Sequence, residues 1–560
     1  MPHTDAPQTD AYDFIIVGAG SAGCVLADRL SADGTNKVLL LEAGGSDRSI
    51  FIQMPAALAY PMNTKRWNWG YYSEPEPHLN GRRLHCPRGL GLGGSSSING
   101  LVYVRGNPLD FERWRDEDGA TGWGYGDVLP YFKRAETRAE GGNEYRGGDG
   151  PLSTTYGTLR NPLNQAWLDA AQQAGYELTE DYNGFRQEGF GRMDMTVRKG
   201  TRCSAAKAYL YPARRRSNLT VVQHALASRV LFEGRRAVGI EYERHGTLHQ
   251  ARANREVLLS GGSINSVQLL KLSGIGPAEE LKSLGIDVLA DRPGVGANLQ
   301  DHLEFYFQMA CTQPITLYGQ ANLLGKALIG AEWLFLRRGI GASNQFESCG
   351  FIRSRAGIRY PDIQYHFFPM AINYDGSSLA TEHGFQAHVG SMRSKSRGTV
   401  TLRSKDPREH PKILFNYMRH PDDWAEMRAC VRLTREIFQQ DAFAPWRGRE
   451  IQPGADCQSD EQIDAFIADH VESALHPSCT CKMGAASDPL AVVDPELKVI
   501  GVEGLRVIDS SVMPSITTGN LNAPTIMIGE KGADHVLGKG LLAPSNAPYY
   551  VAPDWQASQR

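Results

Sequence analysis

The sequence predicts an α/β protein of at least two domains, and three observations support this. With 560 residues, the chain exceeds what one hydrophobic core usually supports. Near its start, an apolar run passes through a glycine-rich turn into a helical pattern, which is typical of a parallel β-α-β unit. Residues 305–464 contain alternating polar and apolar stretches without such a turn, which indicates a second, antiparallel sheet.

The glycine-rich turn reads Gly18-Ala-Gly-Ser-Ala-Gly23 and lies between strand-like residues 14–17 and a helical pattern at 24–30. In this spacing Gly18 permits the tight turn, Gly20 lets the backbone approach a pyrophosphate, and Gly23 allows close packing of helix on strand. The N–H groups at the helix start can bind a phosphate without a basic side chain. We therefore expect a Rossmann-like dinucleotide site, with a tight turn that binds nothing as the alternative.

Two later segments fit the same site. The apolar residues 38–41 end on Glu42, which is placed to bond an adenosine ribose. Residues 87–100 contain five glycines and three serines. Such a segment cannot pack a core, but its N–H groups and hydroxyls can face an anionic or ring-nitrogen ligand.

The composition is ordinary for a soluble enzyme. Lys and Arg total 59 against 62 Asp and Glu, a net charge of −3, which does not favour a nucleic-acid partner. Residues 1–10 lack the basic start and apolar core of a secretory signal, and no apolar run reaches membrane-spanning length. We expect a cytoplasmic protein, and peripheral binding to the inner face of the cell membrane stays open.

Nine cysteines, an odd number in a long chain, fit reduced thiols better than a disulfide framework. One local cluster, His476-Pro-Ser-Cys479-Thr-Cys481, contains residues of the types that bind metal ions. A structural metal site needs about four ligands from two separated pairs, and no second pair is visible. We expect no metal site.

The dinucleotide domain is predicted to be discontinuous. Residues 256–260 and the glycines after them repeat the strand, turn and helix pattern, so this strand can rejoin the first sheet. Residues 505–509 read as another strand, and residues 525–536 as a helix whose first position is Pro524. The predicted dinucleotide-binding domain therefore spans residues 1–155, 196–304 and 465–560.

The second domain is predicted to be α+β and to bind the substrate, with boundaries at 156–195 and 305–464. Residues 363–367 and 399–403 alternate as antiparallel strands do, and residues 422–437 have helical periodicity. No phosphate-type glycine loop occurs there.

The chain resembles the glucose-methanol-choline (GMC) family of FAD-dependent oxidoreductases over nearly its whole length. The residues that carry the resemblance are Gly18-Ala-Gly-Ser-Ala-Gly23, Gly93-Gly-Ser-Ser-Ser-Ile-Asn99, Asn298-Leu-Gln-Asp-His-Leu-Glu304, Pro361-Asp-Ile-Gln-Tyr-His366, His476-Pro-Ser-Cys-Thr-Cys-Lys-Met-Gly484, and Asp509-Ser-Ser-Val-Met-Pro through Gly519-Asn-Leu-Asn-Ala-Pro524. Within the family the chain is similar to the choline-oxidising branch, on Gly341-Ala-Ser-Asn-Gln-Phe-Glu347 and Ala371-Ile-Asn-Tyr-Asp375.

The resemblance implies FAD as the cofactor. The implied cofactor-binding residues are Gly18, Gly20, Ser21, Ala22, Gly23, Glu42, Ala43, Gly93, Gly94, Ser95, Asn99, Gly100, Val230, Asp509, Asn520, Ala523 and Pro524. Some choline-oxidising relatives carry a histidine, covalently joined to the flavin, where this chain has Ile98. Isoleucine cannot form that bond, so FAD is expected to be bound noncovalently.

The resemblance also implies oxidation of an alcohol, with His476 as the group that takes the hydroxyl proton and Asn520 as a hydrogen-bond partner of the same oxygen. The helix after Asn520 is expected to stabilise negative charge on the reduced flavin. The implied substrate-binding residues are Glu304, Phe346, His366 and Leu475. Glu304 matches the carboxylate that faces the trimethylammonium group in the choline branch, with an ordinary salt bridge as the alternative.

The leading functional hypothesis is oxidation of choline to betaine aldehyde, with further oxidation to glycine betaine in the same site left open. The alternatives are a dehydrogenase of neutral primary alcohols and a lyase or non-catalytic protein that carries FAD. The expected electron acceptor is a quinone or another respiratory-chain component. The sequence does not indicate the oligomeric state.

Overall fold

The computed structural model describes residues 11–372 and 382–560. The sequence prediction for residues 1–10 therefore lies outside the described part of the chain, as do Asn373, Tyr374 and Asp375 of the second choline-branch segment.

The first sheet has seven strands and is mainly parallel. In spatial order they are Leu219–Gln223, Val38–Glu42, Ala11–Val17, Thr247–Leu259, Arg236–Arg244 and Ala225–Glu233, with Leu505–Val507 also paired to Thr247–Leu259. As predicted, the strand that ends near residue 260 rejoins the first β-α-β unit in parallel. The carboxyl ends of parallel strands meet at one edge, so Gly18, Glu42 and Ser260 lie at that edge together.

Two helices from opposite ends of the chain, Ser21–Leu30 and Asn522–Leu537, pack against each other beside this sheet. The guanidinium of Arg29 donates to both carboxylate oxygens of Glu530, at 2.9 and 2.8 Å. Glu530 is fully buried, so this ion pair and the apolar contacts around it hold the last helix in place. The packing brings Asn520 to the same edge of the sheet as the glycine-rich turn.

The last helix begins earlier than predicted. Pro524 is its third residue instead of its first, because the helix starts at Asn522 with Leu521 as N-cap. The N–H of Thr525 donates to the carbonyl oxygen of Leu521 (3.0 Å), which closes the first turn. Proline is tolerated there because the first N–H groups of a helix have no partner within the helix.

The second sheet also has seven strands and is antiparallel. Its strands, in spatial order, are Arg447–Gln452, Leu303–Cys311, Gly384–Ser391, Ile363–Phe368, Ser348–Ile352 and Gly189–Arg192, with Glu472–Ser473 also paired to Leu303–Cys311. Residues 399–401, predicted to belong here, instead pair with Lys412–Leu414 in a two-stranded sheet. The reason is that the backbones of Gly398 and Val400 form hydrogen bonds with those of Leu299 and Gly296, outside the second sheet.

The second sheet has one apolar and one polar face, and both are buried. The apolar face packs on the helices Pro162–Gln173 and Pro421–Phe438, with Trp167 stacked on Phe367 at 5.3 Å between ring centroids. The polar face carries Glu304, Gln308, Gln364, His366, Gln386 and His388, each at most 8% exposed. Side chains alternate between faces along a strand, so these six residues share the cavity side.

The longer helices are Ser21–Leu30, Pro108–Asp116, Tyr125–Ala135, Pro162–Gln173, Gly262–Leu272, Leu323–Leu336, Pro421–Phe438, Asp460–His470 and Asn522–Leu537. Small sheets join Tyr71–Tyr72 to His85–Cys86, Val197–Arg198 to Thr201–Arg202, Ile275–Gly276 to Ala290–Asp291, and Leu152–Tyr156 to both Glu136–Arg138 and Asp194–Met195. Among residues 11–372 and 382–560, no helix is both long and apolar enough to cross a membrane. Most strands belong to one of the two seven-stranded sheets. On this basis we propose that the chain has the two domains predicted from the sequence.

Candidate active site

One continuous cavity joins the glycine-rich turn to the predicted catalytic residues. The predicted residues that line it are Gly18, Gly20, Ser21, Ala22, Glu42, Ala43, Gly94, Ser95, Asn99, Gly100, Glu304, Phe346, His366, Leu475, His476, Asp509 and Asn520. The cavity is walled by segments from both sheets and from both ends of the chain.

Five predicted cofactor residues are not part of the cavity wall: Gly23, Gly93, Val230, Ala523 and Pro524. A Cβ atom at Gly23 would lie 1.9 Å from the carbonyl oxygen of Gly18, so Gly23 serves the close packing inside the turn. The N–H of Val230 donates to the hydroxyl of Ser273 (2.9 Å). On the same strand, Ala225, Leu226 and Ala227 line the cavity instead.

The N-terminus of the helix Ser21–Leu30 fits a diphosphate group. Its N-cap residue Gly20 offers no side-chain cap, and no acidic residue lies in its first turn. The N–H groups of this turn therefore face the cavity, where an anion is favoured. A Cβ atom at Gly94 would lie 2.8 Å from the Cα atom of Gly20, so the two glycine-rich segments touch and need glycine to do so.

Glu42 joins three backbone segments at the edge of the first sheet. One carboxylate oxygen accepts from the N–H of Ala19 (2.8 Å), and the other accepts from Gly44 (2.8 Å) and Gly91 (3.0 Å). Burial raises the pKa of this carboxyl, while the three N–H donors act in the opposite direction. Glu42 therefore holds the walls of the cavity together in addition to the predicted contact with a ribose.

The geometry around His476 fixes which of its ring nitrogens carries the hydrogen. Nε2 of His302 lies 3.2 Å from the carbonyl oxygen of Met392, so it donates, and Nδ1 of His302 must accept in the neutral ring. Nδ1 of His476 lies 3.0 Å from that acceptor and therefore carries the hydrogen. Nε2 of His476 is left as a base, 3.1 Å from Nδ2 of Asn520.

Asn520 is oriented by two residues of the second sheet. Its side-chain oxygen lies 3.1 Å from Nε2 of Gln364 and 3.3 Å from Nε2 of His366. Its amide nitrogen is thereby turned toward His476. The predicted catalytic pair is thus in contact, and both members line the cavity.

Asp301 holds the backbones of His302 and His476 in place. One of its oxygens accepts from the N–H of His302 (2.9 Å) and from the N–H of His476 (2.7 Å). The other accepts from the hydroxyls of Tyr417 and Ser473, both at 2.5 Å. This buried carboxyl therefore fixes the distance between the two histidines.

Leu475 has a left-handed backbone conformation, with φ at 69°. A branched residue adopts this conformation only where the surroundings enforce it. Here the N–H of Leu475 donates to the Ser473 hydroxyl (2.9 Å), and its carbonyl oxygen accepts from the guanidinium of Arg88 (2.6 Å). The turn directs His476 into the cavity.

The three histidines of the site are held uncharged at neutral pH. Burial lowers the pKa of His476 well below its usual value, and the neighbouring His302, Arg88 and His366 lower it further. Burial likewise lowers the pKa of His302 to about 3 and that of His366 to about 4. The imidazole of His476 is therefore present in its basic form across the physiological pH range.

Glu304 lies on the polar face of the second sheet and is 5% exposed. One of its oxygens is 3.3 Å from Nδ1 of His388. The ring of Phe346 packs on two histidines of the same sheet face, with its centroid 5.2 Å from that of His388 and 6.0 Å from that of His366, and it lines the same cavity as Glu304. The cavity therefore presents a carboxylate and an aromatic ring close to the catalytic pair, which suits a cation.

Sequence reasoning missed several residues of the site. Asp301 and His302 lie inside a motif that was recognised, but no role was assigned to them. Gln386 and His388 were not noticed, although the order Gln-x-His occurs twice, at 364–366 and at 386–388. That repeated order on two buried, adjacent strands is the signal that could have identified them. Among the described residues, no cluster of three potential metal ligands is found.

Comparison with known proteins gives consistent results. The GMC oxidoreductase family models match residues 12–304 and 394–529. A protein of Brucella ovis named oxygen-dependent choline dehydrogenase is 60% identical over 548 residues, covering 98% of this chain and all of that protein. Proteins of the same name from Sinorhizobium medicae and Rhizobium etli have the same identity and coverage.

Solved structures share the fold at lower identity. Pyridoxine 4-oxidase from Mesorbium loti is 30% identical with a TM-score of 0.85, covering 94% of this chain and 99% of that one. An FAD-dependent oxidoreductase from Chaetomium thermophilum is 28% identical with a TM-score of 0.85 and the same coverage. A formate oxidase of Aspergillus oryzae, in a study of FAD modification, is 26% identical with a TM-score of 0.89, covering 95% and 99%.

Proposed function

The chain belongs to the GMC oxidoreductase family and is an FAD-dependent alcohol dehydrogenase, and on that premise we propose that its substrate is choline, oxidised to betaine aldehyde. The observation that carries the proposal is the buried carboxylate of Glu304 in one cavity with His476 and Asn520. Relatives that are 60% identical over 98% of this chain are named oxygen-dependent choline dehydrogenases, which supports it.

Oxidation of a primary alcohol removes a proton from the hydroxyl and a hydride from the carbon. FAD, when bound, accepts the hydride. The proton goes to Nε2 of His476, the nitrogen that the contact with His302 leaves without a hydrogen. Asn520 donates to the same hydroxyl oxygen, because its amide nitrogen faces His476. Together the two side chains hold the oxygen and direct the carbon-bound hydrogen toward the cofactor.

The N-termini of two helices of this chain would hold the charged parts of the cofactor. The N–H groups of the helix Ser21–Leu30 would hold the diphosphate, and the start of the helix Asn522–Leu537 lies beside Asn520. Asn522 accepts a hydrogen bond from the hydroxyl of Ser21 (2.8 Å), which ties the two helix starts to each other. Both positive helix ends therefore face one cavity, and we propose that the second stabilises the anionic reduced cofactor.

The quaternary ammonium group of choline would lie between Glu304 and Phe346. A trimethylammonium group cannot donate a hydrogen bond, so it is recognised by negative charge and by aromatic faces. The Glu304 carboxylate is held on a rigid strand and shielded from water, which strengthens its attraction for a cation.

Anaerobic mixing of the purified holoenzyme with alcohols tests the proposal. Millimolar choline should bleach the flavin absorbance, whereas its uncharged carbon isostere, 3,3-dimethylbutan-1-ol, should do so poorly. The opposite ranking would show that neutral primary alcohols are the substrates. Bound flavin that no alcohol reduces would support a non-redox role. Betaine aldehyde in the same assay tests whether oxidation continues to glycine betaine.

The variant Glu304→Gln isolates the charge. A carboxylate about 4 Å from a cation contributes about 4 kcal/mol at an effective dielectric constant of about 20. Part of this is lost to desolvation, so we expect choline binding to weaken by about 100-fold or more. Binding of 3,3-dimethylbutan-1-ol should change by less than about threefold. Equal losses for the two alcohols would show that Glu304 is structural.

We further propose that the protein binds a membrane surface through the helix Leu323–Leu336. This helix is strongly apolar, yet of its residues only Trp333 is buried. Leu323, Leu324, Leu328 and Phe335 are between 63% and 87% exposed. A large exposed apolar surface of this kind marks a site of interaction with a protein or a membrane.

Exposed cations surround this apolar surface. Lys326, Arg337 and Arg338 belong to the helix or follow it, and Lys199 lies on the hairpin whose Gly200 accepts from the Trp333 indole (2.6 Å). Arg338 is paired with Glu332 of the helix (3.2 Å), so Lys199, Lys326 and Arg337 supply the excess positive charge. The chain as a whole has a net charge of −3, so a local excess of positive charge favours anionic lipid headgroups as the partner.

Co-sedimentation with vesicles tests this surface. The enzyme should bind vesicles that contain phosphatidylglycerol and not vesicles of phosphatidylcholine alone. Phe335→Glu should abolish binding, whereas Leu248→Glu, at an exposed leucine of the first sheet, should not. A dimer that Phe335→Glu dissociates, without vesicle binding, would identify a second copy as the partner.

A membrane position suits a lipid-soluble quinone as electron acceptor, and we propose this class of acceptor. The named relatives are called oxygen-dependent, so oxygen is the competing acceptor. To compare the two acceptors, the enzyme is first reduced with choline. It is then mixed with a short-chain ubiquinone analogue or with oxygenated buffer, and the rate of flavin reoxidation is measured in each case. We expect the quinone to react faster, and a faster reaction with oxygen would contradict the proposal.

A further inference from the structure

We propose that Gln386 keeps the imidazole of His388 uncharged, so that Glu304 remains the net negative charge by which the cavity selects a cation. This inference deepens the proposed function and rests on it. Gln386 and His388 lie on the strand Gly384–Ser391 and are 0% and 3% exposed. They therefore form a polar layer behind the carboxylate that faces the substrate.

The orientation of the Gln386 amide is fixed by its partners. The backbone N–H of Ile372 donates to Oε1 of Gln386 (2.9 Å), and Nε2 of Gln308 donates to the same atom (2.9 Å). Nε2 of Gln308 also donates to the carbonyl oxygen of Ile372 (3.2 Å). A backbone N–H can only donate, so the atom that it contacts is the amide oxygen of Gln386. The other end of that side chain is the NH₂ group.

This orientation determines the protonation of His388. The NH₂ group of Gln386 lies 2.7 Å from Nε2 of His388 and can only donate. Nε2 of His388 therefore accepts and carries no hydrogen. The ring hydrogen is on Nδ1, where it is donated to Oε1 of Glu304 (3.3 Å). In an imidazolium both nitrogens carry hydrogen, and Nε2 would then face the Gln386 amide donor to donor.

The arrangement holds Glu304 in position without neutralising it. A neutral donor fixes the carboxylate, whereas a protonated His388 at the same distance would form an internal ion pair. Such a pair would leave little attraction for an incoming cation. Further groups that face His388 include the ring of Tyr306, at 4.5 Å between centroids, the ring of Phe346, at 5.2 Å, and the imidazole of His366, which lies opposite it on the neighbouring strand.

The measured quantity is a specificity ratio. It is the second-order rate of anaerobic flavin reduction by choline divided by that by 3,3-dimethylbutan-1-ol, measured on FAD-loaded enzyme. His388→Asn supplies an uncharged N–H at the position of Nδ1, and the ratio should stay within threefold of wild type. His388→Lys supplies a permanent cation, and the ratio should fall by 100-fold or more while the neutral alcohol still reacts.

Gln386→Glu tests the role of the amide. A carboxylate there accepts from Nε2–H and favours the imidazolium, so the ratio should fall three- to tenfold. In the His388→Asn background no imidazolium can form, and the added negative charge should leave the ratio unchanged or raise it. This change of sign between backgrounds is what the proposal requires.

Three results would overturn the inference: an equal fall for His388→Asn and His388→Lys, no fall for Gln386→Glu in the wild-type background, or the same fall in both backgrounds. A wild-type ratio near one would instead contradict the proposed function. The two failures are therefore distinguishable. Flavin absorbance and unfolding temperature, measured on every variant, identify any variant that fails to fold, and the remaining variants still decide the outcome.

Discussion

The contact between His302 and His476 leads to a prediction about the rate of alcohol oxidation. In His302→Leu the acceptor for the Nδ1 hydrogen of His476 is lost, although the apolar side chain still fills the buried space. An unsatisfied buried N–H costs about 1–3 kcal/mol. The balance between the two tautomers therefore shifts by that amount toward the one with hydrogen on Nε2, which has no base toward the substrate, although the Asn520 amide donor still opposes that tautomer.

The expected effect follows from this energy. Each 1.36 kcal/mol is a factor of ten, so the rate of flavin reduction at saturating alcohol should fall about 10- to 100-fold. The dissociation constant of the alcohol should change little, because no group that recognises its cation is altered. Stopped-flow absorbance under anaerobic conditions measures both quantities.

The matched control is His302→Asn. The side-chain oxygen of asparagine occupies about the position of Nδ1 and can accept from His476. We expect it to restore the reduction rate to within about tenfold of wild type, less than the full loss because the bond to Met392 is changed. Equal rates in the leucine and asparagine variants, or no loss in either, would refute the assignment of the tautomer.

Three further predictions concern stability and the cofactor. Burial raises the pKa of Glu426 from 4.5 to about 7. Between these pH values the folded state keeps a proton that the unfolded state releases, so the free energy of unfolding falls as the pH rises from 4.5 to about 7. Glu426→Gln should therefore stabilise the protein by about 2 kcal/mol more at pH 8 than at pH 5 in denaturant unfolding, and a pH-independent difference would contradict this. Acid precipitation of the holoenzyme should leave the flavin in the supernatant as intact FAD, because Ile98 cannot form a covalent bond to it. A yellow protein pellet would show that the flavin is bound covalently. Gly94→Ala should yield folded protein with little flavin, because the new Cβ atom would lie 2.8 Å from the Cα atom of Gly20. A normal ratio of flavin to protein absorbance would show that close contact between the two glycine-rich segments is not needed for flavin binding.

Much of the fold could be predicted because its signals are local. Glycine spacing and apolar runs identified the β-α-β unit, the strand that returns to it, and the helix Pro421–Phe438. The placement of residues 399–401 was wrong, because alternation identifies a strand and not its partner. The start of the last helix was wrong by two residues because proline is compatible with any of the first positions of a helix.

The site could be predicted only where a motif covers it. His476 and Asn520 were expected to meet, and they do. Asp301, His302 and His388 act through side-chain contacts between residues 84 to 175 positions apart in the chain. Such contacts depend on the register of strands and loops, which composition and spacing do not determine. The repeated Gln-x-His order was visible, but its meaning required knowing that the two strands are adjacent.

The contact between Ser21 and Asn522 has a consequence for how a cell assembles the holoenzyme. One wall of the flavin chamber is translated first and the opposite wall only after some five hundred further residues. A nascent chain therefore has only one side of the cofactor site at first, and capture of the cofactor must await synthesis of the helix Asn522–Leu537. Once both helices have formed, their positively polarised ends have no anion between them until the cofactor binds, and we expect flavin supply to govern how much newly made protein escapes proteolysis.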